Sequence, residues 1–191
     1  MSQIEIAVSL LIQEEIIAFP TDTVYGVAAL ASSINAIEKI YEIKGRDKDK
    51  PLIAMVPEEF DIEQLIEVPK EFVNEIRHLI KNHWPGELTL IFKMKKNPYI
   101  VLNYDTLGIR IPNHKVALEV INKIGVPIFV TSANRSGEPS SVTQEEVEKS
   151  LGRELSLVCS GDCGSGIAST IVSYIEGKRT IIRQGNIIVN T

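Results

Sequence analysis

The sequence predicts an α/β fold built on a mixed sheet with flanking helices. Short apolar runs of strand length alternate with segments whose apolar residues recur at helical spacing. The last two runs, 171–174 and 180–183, flank Glu176-Gly177 and read as a hairpin, so the sheet is not purely parallel. Polar clusters repeatedly follow the apolar runs, and in open α/β sheets ligands sit beyond the carboxyl ends of the strands.

Taken in order, Ser2 and Glu5 fit a capping box, and Ile6, Leu10 and Leu11 give the helix behind it an apolar face. The run 16–19 reads as a buried strand that stops at Pro20. Thr21-Asp22-Thr23-Val24-Tyr25-Gly26 follows, and it has two readings. It is a turn whose Thr and Asp side chains cap the next segment, or a polar site at a strand end. Ser33 caps a second helix carrying Ile34, Ile37, Ile40 and Tyr41, which runs into the charged stretch 44–50 and a strand over 52–56. Residues 68–83 read as a helix with Pro69 in its first turn and Phe72, Ile76, Leu79 and Ile80 inward. Trp84-Pro85-Gly86 ends it, 88–92 is a strand, and 93–105 is a loop that is basic in its first half. A short strand over 107–111 carries Arg110 among apolar neighbours. Asn113 caps a helix to 124, and a strand over 127–130 leads into Thr131-Ser132-Ala133-Asn134-Arg135-Ser136-Gly137. Thr143 with Glu146 boxes a helix to 151, 155–158 is a strand, and the glycine-rich 160–166 is a loop.

With 191 residues, the chain is expected to form one domain over 1–191, long enough for a full core. A net charge of −5 argues against a protein that coats nucleic acid nonspecifically. No apolar run approaches the ~20 residues of a membrane span and no signal-peptide pattern opens the chain, so the expected location is the cytoplasm, with no membrane partner. The two cysteines, Cys159 and Cys163, cannot supply a structural zinc site, and His78, His83 and His114 are dispersed. The loop 160–166 lacks the Gly-Lys-Ser/Thr ending of a Walker loop, and there is no Gly-x-Gly-x-x-Gly after the first strand.

Chemistry is expected where the cations collect. Arg110 and Arg183 sit within or at the end of strand-like runs, and a half-buried arginine needs an anion: a structural carboxylate or a ligand. Lys44, Arg46, Lys50, Arg110 and Arg183, converging with Ser/Thr/Asn clusters, would make an anion pocket. Arg110 lies between Ile109 and Ile111, so it faces the other way from them, and it is expected to clamp a ligand instead of pairing with a carboxylate. Thr143 already caps the following helix, which leaves Ser132 and Asn134 free to contact a ligand.

Phe19-Pro20-Thr21-Asp22-Thr23-Val24-Tyr25-Gly26 closely resembles the Pro-Thr-Glu/Asp-Thr-Val-Tyr-Gly stretch of the YrdC/TsaC family. The match continues in order through Lys44-Gly45-Arg46 with Lys50-Pro51-Leu52, then Trp84-Pro85-Gly86-Glu87-Leu88-Thr89 and Gly108-Ile109-Arg110-Ile111-Pro112. Ser132-Ala133-Asn134-Arg135-Ser136-Gly137, Ser169-Thr170-Ile171-Val172 and Arg183-Gln184-Gly185 complete it, over about residues 15–186. The resemblance implies a short, single-domain form with a twisted mixed sheet around a concave basic cavity. It also implies a nucleotidyltransferase activity that makes threonylcarbamoyl-AMP and pyrophosphate from L-threonine, bicarbonate and ATP, for modification of tRNA. Position by position, it implies that Thr23, Met55, Arg110, Val130 and Ser169 hold threonine, Met55 standing where some relatives carry histidine. Arg46, Lys50, Thr106, Ser132, Asn134, Ser140 and Arg183 would hold ATP, and Lys44 with Arg46 would face the reacting anions as catalytic groups. Magnesium would accompany ATP, with no metal held by protein side chains. Proteins that transfer the threonylcarbamoyl group to tRNA are the expected downstream partners, with a weak contact to tRNA itself.

Overall fold

The computed structural model describes residues 1–189, and the last two residues of the expected 1–191 domain lie outside the described residues. Helix α1 (Gln3–Ile12) opens with the Ser2/Glu5 capping box, both halves of which are made. Strands β1 (Ile17–Phe19) and β2 (Gly26–Leu30) follow, then α2 (Ile34–Lys44), capped by the Ser33 hydroxyl on the Ala36 amide. Next come β3 (Ile53–Met55), the short β4 (Ile66–Glu67), α3 (Val73–His83), β5 (Leu88–Met94) and β6 (Thr106–Arg110). Helix α4 (Lys115–Ile124), β7 (Ile128–Ser132), α5 (Gln144–Leu151), β8 (Leu157–Val158), β9 (Thr170–Ile175) and β10 (Lys178–Arg183) complete the order.

The strands form one mixed sheet in the order β10-β9-β5-β6-β3-β7-β2-β1-β8, with β4 paired to β5. Pairs β3–β6, β5–β9 and β1–β8 are parallel. The other pairs, the terminal hairpin among them, are antiparallel, so the sheet is mixed as expected. β1 and the residue before it are buried on both faces, alternating Ile16 and Ala18 on one side with Ile17 and Phe19 on the other. Helices α2, α3 and α5 cover the first side through Ile37, Ile40, Ile76, Leu79, Val147 and Leu151. Helices α1 and α4 cover the second through Leu11, Ala117, Val120 and Ile121, against residues of β1, β2 and β7 and Met55 at the end of β3. On that same side, the residues of β5, β6 and β9 that alternate with core positions line a cavity. The Thr143/Glu146 capping box of α5 and the hairpin are both present, and Glu176 (φ 54°) and Gly177 (φ 67°) both take the left-handed backbone region that a tight two-residue hairpin favours.

The structure departs from the expected elements in several places. β2 lies deep in the sheet although Gly26-Val27-Ala28-Ala29-Leu30 has few strand-forming side chains. Its small residues are set by close packing, since a Cβ on Gly26 would lie 2.6 Å from Val130 Cγ1. The expected helix over 68–83 begins instead with a 3-10 turn, Lys70–Phe72, and α3 starts at Val73. The position before α4 is His114, not Asn113, and makes no side-chain cap. Its ring nitrogen Nε2 is instead 3.0 Å from the Asp162 carbonyl oxygen.

Candidate functional site

The chain leaves β1 at Phe19 and turns through buried polar residues. Thr21 Oγ1 donates to the Val24 carbonyl (2.7 Å) and accepts from the Thr23 amide (3.1 Å). Its single proton is thereby used, so across the 2.9 Å between the two hydroxyls it is Thr23 that donates. Arg110, at the end of β6, donates in turn to Thr23 Oγ1 (3.0 Å). The turn reading and the site reading of this stretch thus both hold: Thr21 secures the turn, and Thr23 faces the cavity.

The glycine-rich segment straps this stretch from outside. The amides of Gly164, Ser165 and Gly166 donate to the carbonyls of Thr21, Asp22 and Thr23 at 3.1, 3.0 and 2.9 Å. A side chain at Gly164 would place its Cβ 2.2 Å from the Asp22 carbonyl oxygen, so the close approach requires glycine. Tyr25, fully buried, turns its hydroxyl to the Gly161 carbonyl (2.7 Å), and burial pushes the phenol pKa up to about 12.

Arg110 faces away from Ile109, as the alternation requires, and is 4% exposed. The expectation that it avoids a carboxylate is corrected: its Nη2 donates to Asp22 Oδ1 at 2.6 Å, in a buried ion pair. Arginine stays charged, and a guanidinium taken out of water needs a counter-charge whether or not a ligand is bound. Nε donates to the Gly86 carbonyl and Nη1 to Thr23, which leaves one N–H on each terminal nitrogen.

The cavity is about 320 Å³. Of the residues expected to hold threonine, Thr23, Met55, Arg110, Val130 and Ser169 all line it. Of those expected to hold the nucleotide, Arg46, Thr106, Ser132, Ser140 and Arg183 line it, whereas Lys50 and Asn134 do not. Lys50 is exposed on the 45–51 loop, where its carbonyl accepts from Arg46 Nε and from the Tyr41 hydroxyl. Asn134 is buried and folds the following turn, donating from Nδ2 to the Arg135 and Glu138 carbonyls. Lys44 is placed otherwise than expected. It lies outside the lining, 3% exposed, with its ammonium on the Ser132 and Asn134 carbonyls. Burial, then the like charge of Arg46, pushes its pKa down to about 8, against the opposing carboxylate of Glu138. It therefore shapes the cavity wall from behind.

Ser169, 2% exposed, is held on two sides. Its Oγ accepts from Arg183 Nη2 (3.2 Å) and lies 2.8 Å from Thr89 Oγ1, while its carbonyl accepts from Arg183 Nε (2.9 Å). Arg183 is exposed as a residue, yet its guanidinium turns inward onto Ser169. That partial burial, then the charge of Arg110, lowers its pKa. Sequence reasoning does not single out Asp22 or Thr89 as site residues. Both lie inside quoted motifs, but only three-dimensional pairing reveals that one holds Arg110 and the other Ser169. Cys159 and Cys163 are free thiols whose pKa values burial raises, that of Cys159 to about 11.

A family model described as "Telomere recombination", for Sua5, YciO and YrdC proteins, matches residues 9–185. The chain is 40% identical over 189 residues to a threonylcarbamoyl-AMP synthase of Bacillus subtilis, covering 97% of this chain and 54% of that protein. It is 34% identical to a putative threonylcarbamoyl-AMP synthase of Methanocaldococcus jannaschii, covering 90% of this chain and 80% of that one. The crystal structure of Pyrococcus abyssi Sua5 complexed with L-threonine superposes with a TM-score of 0.86 at 34% identity, over 95% of this chain and 54% of that chain. Escherichia coli YciO, at 24% identity and a TM-score of 0.82, shares the fold, over 96% of this chain and 89% of that one. The chain thus spans about half the length of the first of these relatives and of the Sua5 structure. From the match over residues 9–185, the chain belongs to the Sua5/YciO/YrdC family.

Proposed function

We propose that this chain is a threonylcarbamoyl-AMP synthase. The observation that carries the reading is one cavity lined at once by Thr23, Arg110 and Ser169 and by Arg46, Ser132 and Arg183. That set suits two anionic substrates meeting side by side: the carboxylate of L-threonine and the phosphates of ATP. The amine of threonine condenses with bicarbonate to a carbamate, with loss of water. A carbamate oxygen then attacks the α-phosphorus, and the P–O bond to pyrophosphate breaks.

The protein's part is positioning and charge stabilisation. The two N–H groups left on Arg110 would hold the threonine carboxylate, with Thr23 and Ser169 beside it. Arg46 and Arg183 would face the phosphates, with Thr106, Ser132 and Ser140 as hydroxyl partners. Magnesium would enter with the triphosphate. Among the described residues the lining offers hydroxyls and no carboxylate, a donor set that suits an ion held mainly by phosphate oxygens. The product would pass to proteins that transfer the threonylcarbamoyl group to tRNA, with weak contact to tRNA itself. No helix among the described residues is long and apolar enough to cross a membrane. The proposed setting is the cytoplasm.

Purified protein given ATP, bicarbonate, magnesium and L-threonine is expected to release pyrophosphate and accumulate an acyl-adenylate. Pyrophosphate release that is indifferent to threonine would overturn the reading.

A further inference from the structure

We propose that Thr89 is a positioning residue that fixes the direction of the Ser169 hydroxyl, so that Ser169 meets an anionic ligand as a hydrogen-bond donor. Thr89, near the start of β5, is fully buried, and the hydrogen bond of its hydroxyl is the 2.8 Å contact with Ser169 Oγ. Ser169 Oγ also lies 3.2 Å from Arg183 Nη2, and a guanidinium only donates, so one lone pair of Ser169 is committed to Arg183. Two proton arrangements remain. If Ser169 donated to Thr89, the Thr89 proton, on a residue with no exposed surface, would meet neither solvent nor an acceptor among the described residues, the costlier kind of unmet polar group. If Thr89 donates, both lone pairs of Ser169 are filled and its own proton is left over. Ser169 keeps 2% exposure where it lines the cavity beside Arg183, so its proton, unlike one on the fully enclosed Thr89, is available to a ligand there. An oxygen that accepts two hydrogen bonds, one of them from a cation, is also a stronger donor. A carboxylate or phosphate in the cavity favours the same arrangement. Thr89 therefore acts through Ser169 and turns an ambivalent hydroxyl into a fixed donor.

Neutron diffraction from crystals of the unliganded protein grown in heavy water reads the arrangement directly. The Thr89 deuteron is expected on the line to Ser169 Oγ, and the Ser169 deuteron toward the cavity. A Ser169 deuteron on the line to Thr89 would overturn the proposal whatever the ligand. The second measurement rests on the synthase reading: calorimetric titration of L-threonine into ATP-loaded protein. Thr89→Val keeps the shape and removes the hydroxyl, and is expected to weaken threonine binding about tenfold, the usual worth of a hydrogen bond to a charged group. Thr89→Ser is expected to restore it, with ATP affinity unchanged in both. Wild-type threonine affinity in Thr89→Val, or equal losses for threonine and ATP, would overturn the proposal. If the wild-type protein itself takes up no threonine, the synthase reading falls, and the neutron map still decides the role of Thr89.

Discussion

Arg110 joins the two halves of the site, because one guanidinium touches Asp22, Thr23 and the Gly86 carbonyl and still has a donor left on each terminal nitrogen. Lysine in its place would keep a charge for Asp22 but lose the planar fork. Arg110→Lys is therefore expected to weaken L-threonine binding by about 1–3 kcal/mol, the range for a charged hydrogen bond. ATP, which Arg46 and Arg183 would face in the proposed site, should bind almost as before. Titration of threonine into the ATP-bound variant measures this, and wild-type affinity would return Arg110 to a purely structural role beside Asp22. The direction of Arg110 was legible in the sequence, because strand alternation fixes which way a residue points. Its partner was not, because Asp22 is 88 positions away and no local pattern records that approach. The same holds for Lys44: a helix-ending lysine beside a charged loop reads as part of an anion pocket, and only the fold brings the Ser132 and Asn134 carbonyls over it.

Elements whose signal is local were the readable ones. Capping boxes at Ser2 and Thr143 need only residues three apart, and the hairpin needs only Glu176-Gly177 between two apolar runs. β2 was not readable, because its small residues are chosen by close packing against β7 and β1 and not by strand preference. The cavity itself follows from helices that cover one half of a sheet face and stop, which depends on topology. The hairpin turn still carries a local misfit: Glu176 has φ 54°, a conformation that glutamate adopts at a cost and asparagine tolerates well. Glu176→Asn supplies the favoured Asn-Gly pair and is expected to stabilise the fold by about 0.5–1 kcal/mol. A urea unfolding midpoint that stays put or falls would show that the Glu176 side chain compensates for its backbone.

For the molecule as a whole, the buried charge of Lys44 couples folding to pH. Its ammonium ties the end of α2 to the turn after β7, spanning 90 positions of sequence, so it can ionise freely only when the fold opens. In the folded protein its pKa is pushed down to about 8, chiefly by burial, while in the unfolded chain it returns to the ordinary 10.5. Below the folded value, both states hold the proton and the cost of burying the charge is borne in full. Between the two values, the unfolded chain binds a proton that the folded one has released, so the contribution of this group to stability rises with pH across that window. Above the unfolded value it levels off. Lys44→Met removes the titration, and with it that rise, but it also leaves the Asn134 carbonyl without its donor and the Ser132 carbonyl with only the Asn134 amide, a loss of about 1–3 kcal/mol for the former. The variant is thus expected to be less stable than wild type near neutral pH, with the deficit widening toward alkaline pH as the wild-type gain develops. Urea unfolding of both proteins on either side of the window measures this. A deficit that stays constant would mean that the two carbonyls hold the Lys44 proton in place throughout, and that the folded ammonium titrates no lower than an ordinary lysine.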